Sequence, residues 1–177
     1  LLEEGDFEGA IVDYTEAIRI QPRNSNAYLN RGFTKNKIKD YKGAINDFSK
    51  LIEFDPKEAY AYYNRARSKY FLRDYPGAIS DFNKAIKCYE NCIKIDPNFI
   101  SAYGNLGRTY LELRNFDKAL LNFNKVEKIN PTDYNNLFAI GKTYLSMEKY
   151  DEGFRYYEYR KYLNNTEAIR YVKKNYN

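Results

Sequence analysis

A block of text returns along this chain at a near-constant interval. A period of roughly 20 to 50 residues constrains the fold more than any local preference does. Pro22, Pro56, Pro97 and Pro131 mark it, at spacings of 34, 41 and 34 residues. Upstream of each proline stands a similar string: Asp6-Phe7-Glu8-Gly9-Ala10-Ile11, Asp40-Tyr41-Lys42-Gly43-Ala44-Ile45, Asp74-Tyr75-Pro76-Gly77-Ala78-Ile79 and Asn115-Phe116-Asp117-Lys118-Ala119-Leu120. A looser fifth copy reads Lys149-Tyr150-Asp151-Glu152-Gly153-Phe154. Four residues after the small residue of each copy comes an aromatic: Tyr14, Phe48, Phe82, Phe123 and Tyr157.

Ala10, Tyr14 and Ala17 fall at i, i+4 and i+7, one apolar stripe of a helix. The small residues let a second helix come close, and the aromatic fills the gap beside them. Proline then ends the helix, because it cannot continue the hydrogen-bond ladder and pushes its predecessor out of the α region. A further helix precedes each of these, carrying Tyr28 and Gly32, Tyr62 and Ala66, Tyr103, Gly107 and Tyr110, or Gly141 and Tyr144. Glycine inside a helix costs about 1 kcal/mol against alanine, so its return at one position argues for close packing. Each unit reads as a helix-turn-helix that completes its core only by stacking on its neighbours.

Gly, Tyr, Ala, Phe and Pro in this order on a 34-residue period resemble the tetratricopeptide repeat family. The resemblance implies an all-α fold, a right-handed α-solenoid (superhelix) of stacked antiparallel helix pairs. Residues 1–24 read as a partial repeat; 25–58, 59–99, 100–131 and 132–165 read as whole ones. Asn165 replaces the expected proline, and Thr166 is placed to cap a closing helix over about 166–176, with Ala168, Ile169 and Val172 apolar. The first repeat lacks most of its first helix and the chain opens on Leu1, so further residues are expected upstream.

The 41-residue spacing holds seven extra residues. Asp81-Phe82-Asn83-Lys84-Ala85-Ile86-Lys87 is followed in register by Cys88-Tyr89-Glu90-Asn91-Cys92-Ile93-Lys94, as though a heptad had been duplicated. Seven residues are nearly two turns, so the apolar face persists with a drift of about 20° and the helix runs longer by roughly 10.5 Å. Either the lengthening is merely tolerated, or it projects a contact surface for a partner or a second copy of the chain. Cys88 and Cys92 read as small half-buried side chains rather than a metal or redox pair.

The chain has 20 Tyr and 11 Phe but neither Trp nor His. Without histidine no Ser-His-Asp or Cys-His nucleophile forms, and two cysteines alone cannot complete a Cys/His zinc site. Two cysteines are also no disulfide framework, which fits a reducing, cytoplasmic setting. There is no run of about 18 apolar residues to span a bilayer, and no glycine-rich phosphate loop. No metal, cofactor or catalytic group is expected; the chain reads as a binding module rather than an enzyme.

In the resembled family the first helix of each unit lines a concave groove. There stand Asn30, Asn64 and Asn105, with Ala139 breaking the series. An asparagine amide both donates and accepts, so a row of them suits the backbone of an extended peptide. The row is similar to the asparagine ladder in the repeat domain of the enzyme that attaches N-acetylglucosamine to proteins; the other reading is that asparagine is simply common here. Three residues on come Phe33, Arg67, Arg108 and Lys142, and Tyr60, Tyr63 and Tyr70 are expected to join Phe33 in an aromatic patch. The alternative for the cations is an ordinary solvated face. A two-carboxylate clamp for the tail of heat-shock chaperones needs basic residues where Leu29, Phe33, Asn64, Ser101 and Asn105 stand, so that partner is not expected.

Net charge is +5, yet residues 1–24 carry six acidic and two basic residues, a net −4, leaving +9 for the remainder. The basic residues are spread rather than clustered, which disfavours nucleic acid and points to an acidic protein or peptide partner. The expected role is a protein-interaction scaffold that takes an extended or helical segment in its groove. The alternatives are an oligomerising structural module, possible as a homo-oligomer through exposed repeat ends, and the substrate-targeting arm of a larger enzyme.

Overall fold

The computed structural model describes residues 6–159. Helices, turns and no strands make up this span: α1 Phe7–Ile20, α2 Ser25–Lys37, α3 Tyr41–Phe54, α4 Ala59–Phe71, α5 Tyr75–Ile95, α6 Ile100–Glu112, α7 Phe116–Ile129, α8 Tyr134–Ser146 and α9 Tyr150–Tyr157. The closing helix expected over 166–176 lies outside the described residues. Helices α1, α3 and α7 have 14 residues each and α5 has 21, a difference of one heptad. The chain divides inside α5 into two compact units, 1–88 and 89–177.

The returning string is a capping device. Asp6, Asp40 and Asp74 each accept a hydrogen bond from the backbone N–H three residues on, at Gly9, Gly43 and Gly77 (2.6, 2.9 and 3.0 Å). This satisfies one of the donors a helix start leaves open. A Cβ on any of these glycines would collide with the capping carboxylate. In the second unit Asn115 caps α7 through the Lys118 N–H at 3.3 Å.

The turn before each cap is also repeated. The N–H of Asp40, Asp74, Asn115 and Lys149 reaches back to the carbonyl of Lys35, Lys69, Tyr110 and Tyr144, at 2.8 to 3.0 Å. The bond requires a left-handed residue in between: Lys39, Arg73, Arg114 and Glu148 have φ of 66°, 64°, 56° and 61°. Glycine is the usual occupant of such a position, and the sequence holds none there.

Packing within each pair rests on one close approach. A Cβ added to Gly32 would lie 2.8 Å from the Phe48 ring, and one added to Gly107 would lie 2.6 Å from the Phe123 ring. Both rings are fully buried. At Gly141 the near neighbour is the backbone of α9, with the Tyr157 nitrogen 2.9 Å from the added carbon. Alanines at the adjoining positions, Ala44, Ala66 and Ala119, are likewise fully buried.

The first unit adds a buried ion cluster, used twice. Arg31 donates Nε and Nη2 to the two carboxylate oxygens of Asp47 (3.0 and 2.7 Å) and Nη1 to the Thr15 hydroxyl (3.0 Å). Lys35 closes on the same carboxylate at 2.8 Å. Thirty-four residues on, Arg65 holds Asp81 (2.8 and 2.9 Å) and Ser49 (3.0 Å), with Lys69 at 2.7 Å. Asp47 and Asp81 are sealed from solvent. Burial alone would raise the Asp81 carboxyl, but Arg65 and Lys69 outweigh it and hold the group below the usual carboxylate range.

Lys39→Gly should raise unfolding free energy by about 1 kcal/mol by relieving the left-handed conformation, read by urea denaturation; no gain would show that the backbone there is unstrained. Asp81→Asn should cost about 3 kcal/mol because it strands Arg65, whereas Arg65→Leu with Asp81→Asn should cost much less, the cycle being measured the same way. Since the Asp81 carboxyl is depressed on folding, its contribution is present above about pH 4 and lost as pH falls through the folded value. Acid unfolding should accordingly be shallower in the double variant.

Candidate interaction surface

Within the first unit α2 packs beside α4, and within the second α6 beside α8, so the first helices of successive pairs adjoin. On the first unit Asn30 is exposed and Asn64 is not: its side chain is 1 % exposed. The Asn64 Nδ2 donates to the Tyr60 carbonyl one turn back at 2.8 Å. The Asn64 backbone carbonyl accepts from the Ser68 hydroxyl at 2.9 Å, and that hydroxyl also meets Asn36 Oδ1 at 2.8 Å. Asn64 therefore belongs to a buried polar network, and the expected row of surface amides is interrupted there. Asn64 shares the buried face of α4 with Ala59, Ala61, Tyr62, Ala66 and Ser68. On the second unit Asn105 is half-buried and accepts a hydrogen bond from Arg108 Nη1 at 3.1 Å, which orients the guanidinium.

The aromatic residues do not form the single patch that sequence suggests. Tyr60 and Tyr63 stack at 6.2 Å, Arg67 lies over the Tyr63 ring at 6.0 Å, and Tyr63 leans on buried Phe82 at 5.8 Å. Phe33, 39 % exposed, carries Lys37 over its ring at 5.3 Å. Tyr70 belongs to a different cluster: it meets Phe71 and Tyr75 edge-on at 6.0 and 5.5 Å, and Phe71 stacks on Tyr41 at 4.9 Å. Phe71 and Tyr75 are each about half exposed. The signal that would have found this cluster is positional. Phe71 and Tyr75 flank the turn of the second pair, and Tyr41 stands 34 residues before Tyr75.

Lys142 is half-buried on α8, where Ala139 is buried. Cys88 and Cys92 are both half-buried. Among the described residues no three His, Cys, Asp or Glu groups stand where they could hold a metal ion, and no helix is long and apolar enough to cross a membrane. The perturbed tyrosines belong to the packing: burial first, then Glu90, pushes the Tyr110 hydroxyl up, and burial followed by Glu127 does so at Tyr156.

Sequence profiles of the tetratricopeptide repeat match residues 1–38, 25–58 and 57–131. No curated protein matches the chain. Among solved structures, the crystal structure of MamA is 26 % identical, covering 97 % of this chain and 91 % of its own, with a TM-score of 0.55. A thermophilic tetratricopeptide repeat protein of Thermus thermophilus is 18 % identical over 86 % of this chain and 80 % of its own, at 0.68. A MamA fragment from Desulfovibrio magneticus is 16 % identical over 98 % and 89 %, at 0.58.

Charge at the two asparagine positions separates the enclosed amide from the open one. Asn64→Asp should cost about 3 kcal/mol or more, since a buried carboxylate cannot donate to the Tyr60 carbonyl. Asn30→Asp should stay within about 0.5 kcal/mol. Equal losses on chemical denaturation would contradict the burial assigned to Asn64.

Proposed function

Because the chain belongs to the tetratricopeptide repeat family and so is a protein-interaction scaffold, we propose that it takes an acidic, extended segment of a partner protein on the first-helix surfaces. In the first unit the contact residues are Asn30, Phe33, Tyr60, Tyr63, Arg67 and, at the edge, Tyr70. In the second they are Asn105, Arg108 and Lys142. Asn64 supports the surface from beneath rather than touching the ligand.

The observation that carries this reading is the pairing of cations with oriented platforms. Arg67 rests on the Tyr60–Tyr63 stack, Lys37 on Phe33, and Arg108 on the Asn105 amide. A guanidinium already held in place loses less freedom on meeting a carboxylate, which strengthens recognition. The sequence supports the same polarity, with +9 on all but its first 24 residues. Family membership supports a binding role and names no ligand.

The test is affinity capture from the native cell extract with two baits, the wild-type chain and Arg67→Glu/Arg108→Glu. Proteins retained by the first should be lost or reduced about thirtyfold on the second, as two reversed contacts of about 1 kcal/mol each imply. Identical retention by both would rule these surfaces out.

A further inference from the structure

The second unit holds an open pocket of about 430 Å³, lined on α5 by Glu90, Ile93 and Lys94, on α6 by Tyr103, Leu106 and Tyr110, and on α7 by Lys118, Leu121 and Asn122. On a helix advancing 100° per residue, Tyr103, Leu106 and Tyr110 lie on nearly the opposite side of α6 from Asn105 and Arg108. The pocket is thus separate from the surface proposed above and does not rest on that reading.

Its origin lies in a substitution of register. In the first unit Arg31 reaches back 16 residues to Thr15 and forward 16 to Asp47, and Arg65 repeats this with Ser49 and Asp81. The arginine spans the groove between two second helices and fills it. One repeat on, the same three places hold Glu90, Leu106 and Asn122, and all three line the pocket. Tyr110 replaces the lysine of the cluster. Its hydroxyl meets Glu90 at 3.3 Å, and Lys118 sits over its ring at 5.3 Å. In the last repeat Ile140 takes the arginine position, and Tyr144 and Tyr156 stack at 6.0 Å beside it. In the third repeat the shortened bridging side chain leaves a pocket.

Losing the guanidinium leaves an apolar floor with charge at its edge. Leu121 is 63 % exposed, Ile93 half-buried, and Leu106 and Tyr110 form the base. Lys94 and Lys118 are exposed, and among the described residues neither has an ion-pair partner. With Glu90 bonded to Tyr110, the charge left without an ion pair is cationic. An exposed apolar depression rimmed by polar groups marks an interaction site. We propose that this pocket docks a segment of a partner protein in which one bulky apolar side chain is flanked by carboxylates. The apolar group seats on Leu106, Tyr110 and Leu121, and the carboxylates meet Lys94 and Lys118.

The probe is a fluorescein-labelled peptide, Asp-Glu-Phe-Glu-Asp in a Gly-Ser frame, read by fluorescence anisotropy. Wild-type protein should bind it, and Lys94→Glu/Lys118→Glu should weaken it at least tenfold, as should serine in place of the peptide's phenylalanine. Leu106→Arg with Asn122→Asp, which restores the bridging pair of the earlier repeats, should close the pocket and abolish binding while the melting transition is kept. If that core variant does not fold, the surface pair Lys94→Glu/Lys118→Glu decides alone. Arg67→Glu/Arg108→Glu, which reverses charge on the first-helix surfaces, should weaken the peptide less than Lys94→Glu/Lys118→Glu does. Absence of binding to the wild type up to millimolar peptide would overturn the proposal, as would unchanged affinity in Lys94→Glu/Lys118→Glu or loss confined to Arg67→Glu/Arg108→Glu.

Discussion

The structure depends on one contact: a residue with little or no side chain on the first helix of a pair, pressed against an aromatic ring on the second. Gly32 against Phe48 and Gly107 against Phe123 leave no room for even a methyl group. The ring fills what the missing side chain vacates, and the pair is fixed in spacing. A helix pair of this size buries one face only, so each needs the next to cover the other. The second helices are positioned by the Asp–Gly caps at their starts, and the first helices end in a left-handed residue that turns the chain back. Local chemistry and long-range packing agree at each repeat, which is what lets the same design be written several times.

Much of this was legible because repetition amplifies weak signals. Phe48, Phe82 and Phe123 could be picked as core from their spacing alone, and they are buried. The glycine of the Asp-aromatic-x-Gly string was visible as text, but its reason, clearance for the capping carboxylate, needs coordinates. Surface residues were harder. Asn30, Asn64 and Asn105 occupy equivalent positions, yet one is exposed, one enclosed and one bonded to Arg108. Equivalence in sequence fixes the direction of Cα–Cβ and leaves open how far neighbours cover the side chain. Tyr70 parts from Phe33 for a similar reason. It sits in the last turn of α4, where its ring meets the following turn and Tyr75 rather than the preceding helix.

The buried ion clusters show how a repeat varies without changing its fold. Arg–Asp–Lys in the first unit and Leu–Asn–Tyr in the second occupy corresponding places. The ionic version is costly to desolvate and tolerable only because guanidinium, ammonium and hydroxyl together satisfy the carboxylate. The neutral version avoids that cost and gives up filled volume. Nothing in the periodic pattern distinguishes the two, since neither changes the Gly, Tyr, Ala, Phe and Pro positions that define the repeat. Individuality therefore sits at positions the repeat does not constrain, and those are the positions available for recognition.

As a scaffold, the chain would present oriented cations and aromatic rings to a partner from its first helices. Amide hydrogen exchange by mass spectrometry tests that most directly, comparing the free chain with the chain bound to a partner protein purified from its native extract. Added protection should fall on α2, α4, α6 and α8, whose side chains include Phe33, Tyr63, Arg67, Arg108 and Lys142. A complex in which those four helices exchange as in the free chain would contradict the placement of the partner on the first helices.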